Sequence, residues 1–84
     1  MGDAVFIRTV THYHTGRIVG VTPTEIHLVD AAWIASTGRF ATALATGALD
    51  EVEPYPASVE PVVVCRGAIV DYCHWPHALP TAVK

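Results

Sequence analysis

Apolar and polar positions alternate along this chain first with period two, then at helical spacing, then with period two again. Residues 4–14, AVFIRTVTHYH, are β-branched and aromatic and carry no helix signal, so they predict a strand. Alternation puts Val5, Ile7, Thr9, Thr11 and Tyr13 in one row, and Phe6, Arg8, Val10, His12 and His14 in the other. TGR at 15–17 predicts a turn in which Gly16 takes positive φ. IVGV, 18–21, predicts a second strand, with Gly20 as a bend or bulge. TPTE, 22–25, predicts a tight turn with Pro23 at its first central position. IHLVDAAWI, 26–34, completes a three-strand antiparallel meander.

The middle of the chain changes period. In STGRFATALATG, 36–47, the spacing of Phe40, Ala43 and Leu44 predicts a short helix near 38–46, capped by Ser36 or Thr37 and ended by Gly47. DEVEPYPASVEP, 50–61, holds three prolines and four acids and predicts an extended loop. VVVCRGAIVDYCHW, 62–75, returns to strand with a break near Arg66-Gly67, and PHALPTAVK, 76–84, predicts an irregular tail. The expected organisation is one small domain over 1–84: meander 4–34, helix-and-loop insert 35–61, final strands 62–75, tail 76–84.

Composition adds an expectation of self-association. Half of the 84 residues are hydrophobic and only 15% are charged. So short a chain buries a modest fraction of its surface, and its apolar excess predicts a homo-oligomer. The net charge of −3 supplies no basic footprint for non-specific nucleic-acid binding. Lys84 is the one lysine; Arg8, Arg17, Arg39 and Arg66 are the other cations. Guanidinium without lysine suits specific pairing with carboxylate or phosphate. Arg66, between two apolar runs, is expected to answer a backbone carbonyl or a carboxylate such as Asp30 or Asp71. Cys65 and Cys73 read as buried small hydrophobes in a cytoplasmic setting. MGDAVFIRT lacks the long apolar core of a signal peptide, and no segment has the length of a membrane span.

TGRIVGVTPTEIHLVDA and VVVCRGAIVDY, with Arg66-Gly67 as its Arg-Gly pair, resemble the two blocks of an Sm/LSm-like small barrel. The resemblance implies a mainly β, SH3-like barrel of about five strands, with the short helix in its insert. His27 stands where that family places an RNA-contacting asparagine, and the insert at 35–61 is long. A second resemblance runs through Arg8-Thr9, Gly16, LVDAAWI, GRFATAL and AIVDYCHW, to an uncharacterised family of short bacteriophage and prophage proteins. It implies a phage or prophage origin, with the cytoplasm of an infected bacterium as the expected location; small phage proteins of this size are often accessory binders, counter-defence factors or virion parts.

His12 and His14 flank Tyr13 in the motif HYH. Two imidazoles on one strand face can begin a zinc site, but a site needs a third ligand, and no set of acids or cysteines stands at ligand spacing. The motif therefore reads as a polar strand end with solvent-facing imidazoles, and no metal or cofactor is expected. No nucleophile motif, paired acid and base, or phosphate loop is present, so the expectation is a non-enzymatic protein. Rings with arginines suit a nucleotide-like ligand, stacking on its base and pairing with its phosphates. The expected binding residues are Arg8, His12, Tyr13, His14, Arg17, Arg39 and Trp75, with Trp33 and Phe40 in the core. The leading expectation is sequestration of a small nucleotide-like signal, as in counter-defence. The alternatives are an LSm-like RNA binder and a phage assembly protein without ligand.

Overall fold

The computed structural model describes residues 2–84. Its strands are β1 (Ala4–Thr9), β2 (Tyr13–Val21), β3 (Glu25–Ser36), β4 (Glu51–Pro54), β5 (Val62–Cys65) and β6 (Ile69–His74), with one helix, α1 (Phe40–Thr46). All pairings are antiparallel. The sheet runs β4-β3-β2-β1-β6, and β5 joins it by pairing with β3. β4 pairs with Ala32–Ser36 of β3 and β5 with Glu25–Leu28, so one long strand carries two short ones end to end.

The chain forces this sheet to curl. β5 and β6 lie four strand spacings apart through the ladder, ~19 Å if the sheet were flat. Cys65 and Ile69, which end and begin them, are joined by the 3-10 turn Arg66–Ala68. That link spans at most ~14 Å when fully stretched. The edges must therefore approach one another, yet no ladder joins β5 to β6 among the described residues. The expected mainly β fold is present, but as an open curled sheet of six strands rather than a closed five-strand barrel.

Two bulges in the β2–β3 ladder let these strands bend. Asp30 has φ of 51°, a left-handed conformation that Asp tolerates better than most residues. The β2–β3 register shifts there, between the pairs Thr15↔Ala32 and Arg17↔Val29. The extra residue changes the phase of β3. Ile26, Leu28 and Ala31 enter one apolar cluster, with Val5, Ile7 and Val64; Ala32 and Ile34 enter the other, with Phe6, Val52 and Trp75. β1 is buried on both faces, its Val5 and Ile7 in one cluster and its Phe6 in the other. A second register shift lies between Ile18 and Gly20, beside the glycine expected to bend the strand.

The first turn is displaced from its expected place. Residues 15–17 lie inside β2, and the chain reverses at Val10-Thr11 instead. There the Thr9 amide donates to the His12 carbonyl at 2.9 Å, and the Thr9 hydroxyl donates to the same oxygen at 2.8 Å. Gly16 serves a close approach rather than a turn: a Cβ on it would lie 3.1 Å from the Leu28 Cβ. The turn at 22–25 forms as expected, its Thr22 amide donating to the Glu25 carbonyl at 2.9 Å.

The insert and tail build the second core. α1 ends at Gly47, whose φ is 79°. Its cap position is Arg39, without a side-chain bond, rather than Ser36 or Thr37. The acidic proline segment contributes β4 and the buried Val52, where a loop was expected. The tail is not a loose end: Lys84 and Val52 exchange backbone hydrogen bonds of 2.8 and 3.0 Å. His77 Nε2 is 2.7 Å from the Leu44 carbonyl, and its Cβ covers Gly47. Gly47→Ala would place a Cβ 2.8 Å from His77 Cβ in a left-handed conformation. The expected cost is about 1–2 kcal/mol, read from the urea midpoint. Gly67→Ala, with open space around its Cβ, should leave that midpoint in place.

Candidate functional site

The β1–β2 hairpin tip forms an open groove of about 360 Å³, lined by residues 8–13 and closed on one side by Val70 of β6. That volume lies within the range of small-ligand sites. Three of the seven expected binding residues meet there: Arg8, His12 and Tyr13. β1 delivers Arg8 directly opposite Tyr13 of β2, and the turn places His12 between the two strands.

Arg8, His12 and Tyr13 each have a partner that fixes them. The Arg8 guanidinium grips Asp71 of β6 through two hydrogen bonds, from Nε (3.1 Å to Oδ1) and from Nη2 to Oδ2. A guanidinium has five N–H donors, so three remain for a ligand. Tyr13 stacks on Phe6 with ring centroids 5.3 Å apart and leans on Phe40 at 6.3 Å. The Thr11 hydroxyl lies 2.7 Å from His12 Nδ1. Thr9, Val10, Thr11 and Val70 also line the groove and were missed in the sequence. Their signal is hidden because a turn built from Val-Thr carries no glycine, proline or asparagine.

His12 also belongs to a row of rings on the sheet. Its imidazole lies 4.6 Å from His14, edge to face, and 5.1 Å from Trp33. His14 stacks in turn against Tyr55 at 6.0 Å. His14 and Trp33 are directly opposed in the β2–β3 ladder. The expectation of solvent-facing imidazoles fails for His14, which is 6% exposed with its Nδ1 buried and unpartnered. Desolvation, and secondarily the charge of His12, push its pKa down to about 4. His14 is thus a neutral imidazole in the protein wall rather than a ligand contact. Burial likewise raises the Tyr55 pKa and keeps that phenol protonated.

The remaining expected residues lie elsewhere. Arg17 is opposite Ala4, at the other end of β1 from Arg8; it faces Asp30 at 3.6 Å and donates to the Gly2 carbonyl. Arg39 is exposed at the start of α1. Trp75 is 1% exposed, stacked on Phe6 in the core, while Trp33 and Phe40, expected in the core, are 39% and 43% exposed. Cys65 and Cys73 are free and exposed, not buried. Arg66 is exposed as well; it donates to the Thr22 carbonyl at 3.0 Å, while Asp30 and Asp71 pair with Arg17 and Arg8. Removing Arg66 therefore strands no buried acid. Among the described residues, no three His, Cys, Asp or Glu side chains converge as metal ligands. No described helix is long and apolar enough to cross a membrane.

No family model, curated protein or solved structure matches the chain.

Proposed function

We propose that the protein is a non-enzymatic binder of a small, planar, anionic ligand of nucleotide type, held at the β1–β2 hairpin tip. The observation that carries this reading is the convergence of Arg8, His12 and Tyr13 on one groove of about 360 Å³. The free donors of Arg8 answer a phosphate, the Thr9 and Thr11 hydroxyls supply further polar contacts, and the rings of His12 and Tyr13 offer surface to a base. We read the Thr11 hydroxyl, 2.7 Å from His12 Nδ1, as orienting the imidazole for binding rather than as a nucleophile. Binding without turnover amounts to sequestration, and counter-defence is one role that sequestration of a signal would serve in a phage accessory protein of the cytoplasm.

Titration calorimetry with a panel of mononucleotides and cyclic dinucleotides tests this reading. At least one should bind, and Arg8→Ala should weaken it by roughly tenfold, the effect of losing one charge-assisted contact. The variant should melt close to the parent, because the Arg8–Asp71 pair is solvent-exposed and such pairs contribute little stability. A panel without binding at millimolar concentration would overturn the reading. Binding of single-stranded RNA instead, with a steep salt slope, would replace it with the LSm-like alternative.

A further inference from the structure

β6 is an edge strand with nothing to protect it. One side pairs with β1, and no described strand pairs with the other. Residues 70–74 are all exposed, with Val70 at 54% and Tyr72 at 62%. Edge strands that must stay single usually carry lysine, proline or an uncompensated inward charge. VDYCH has one charge, Asp71, and Arg8 of the neighbouring strand already neutralises it.

The exposed apolar surface is continuous along this edge. Val70 belongs both to the hairpin-tip groove, where Val10 is 78% exposed, and to a second groove of about 350 Å³ that includes Val21 and Tyr72. Val10, Val70, Tyr72 and Val21 thus form one strip beside a row of unused backbone donors and acceptors. Contiguous apolar surface of this kind marks an association site.

We infer that β6 pairs antiparallel with β6 of a second copy about a two-fold axis at Tyr72, extending the sheet across a homodimer. Charge and length select this register. An axis at Asp71 would set two carboxylates against each other, which an antiparallel ladder disfavours. An axis at Cys73 would bring Asp71 opposite the second copy's Trp75, which is buried in its own core. The axis at Tyr72 matches Val70 with the second copy's His74 and Asp71 with the second copy's Cys73. It uses all five exposed residues and opposes no like charges. Val10 and Val21 then flank the new ladder, so the apolar strip is covered together with the edge. A second copy is the occupant this strand fits because the register is self-complementary, as a two-fold interface requires.

The test is sedimentation equilibrium from about 10 to about 500 µM, the range for a micromolar-to-millimolar association. The parent should approach twice the monomer mass of 9.0 kDa. Tyr72→Lys and Val70→Lys should each sediment as monomers with an unchanged far-UV spectrum, since both side chains are exposed in the monomer. A covalent test fixes the register. In a Cys65→Ser background, Asp71→Cys should form a disulfide-linked dimer through Cys73 on mild oxidation, and the background protein should not. A parent that stays monomeric overturns the inference. So does a dimer that survives both lysine substitutions, or one that Asp71→Cys fails to cross-link. These masses are read without ligand, so the outcome is separate from that of the nucleotide titration.

Discussion

Trp75→Ala should lower stability by about 3–5 kcal/mol, the cost of deleting a fully buried large ring. The ring is 1% exposed, stacks on Phe6 at 5.5 Å and on His77 edge to face at 4.8 Å, and donates from Nε1 to the Ala78 carbonyl. Its removal empties the centre of the cluster that joins β1, β3, β4 and α1. A domain this size has a total stability near the low end of about 5–15 kcal/mol, so much of it would be gone. Each kcal/mol shifts the melting temperature of such a domain by ~4–8 °C. Thermal unfolding followed by circular dichroism should therefore show a fall of ~15 °C or more. Trp75→Phe should fall much less, because a ring remains against Phe6. A Trp75→Ala melt within a few degrees of the parent would mean that the tail does not belong to the core.

Acid should also destabilise the protein, beginning well above the range where carboxylates protonate. His14 carries a pKa of about 4 in the fold against 6.5 for the free side chain. Between these values the unfolded chain binds a proton that the folded chain refuses. Stability must then rise with pH across this window, and fall as pH drops from about 6.5 toward 4. The full shift corresponds to ~3 kcal/mol at ~1.4 kcal/mol per pH unit, and partial solvent screening reduces the expected loss to ~2 kcal/mol. His14→Phe keeps a ring in the same slot and removes the titration. Its melting temperature should be nearly flat over the window in which the parent's declines. Parallel declines in both proteins would assign the acid sensitivity to other groups.

The sequence made some of this legible and hid the rest for specific reasons. The three-strand order of the first block, the Pro23 turn, the Gly47 helix end and the break at Arg66-Gly67 all carry short-range signals, and the structure has each of them, although the first turn of the meander lies at 10–12 rather than 15–17. The 10–12 turn carries none. Its bonds come from the Thr9 side chain and backbone, while Val10 and Thr11 score as strand residues. β4 was hidden because prolines and acids dominate its segment, although Val52 between Glu51 and Glu53 repeats the alternation of a half-buried strand. The two tryptophans exchanged roles for a tertiary reason. The bulge at Asp30 changes the phase of β3 and leaves Trp33 on a partly open face, and the returning tail buries Trp75. Of the seven expected binding residues, the three at the hairpin tip converge; His14, Arg17, Arg39 and Trp75 were grouped with them by chemistry, and only the fold could separate them.

The position of β1 has a consequence for how the chain is made. β1 leaves the ribosome well before β6, yet β6 is one of its two neighbours, with Val5 opposite His74. Until that late segment emerges, Val5, Phe6 and Ile7 have only the earlier elements to cover them, β2 and β3 first and then α1, β4 and β5. Phe6 waits longest, because its stacking partner Trp75 follows β6. Pairings between distant segments are slow to close and leave apolar strands open to other chains meanwhile. The nascent chain can therefore assemble the meander during synthesis, but β1, buried on both faces, is completed only once β6 and Trp75 have emerged.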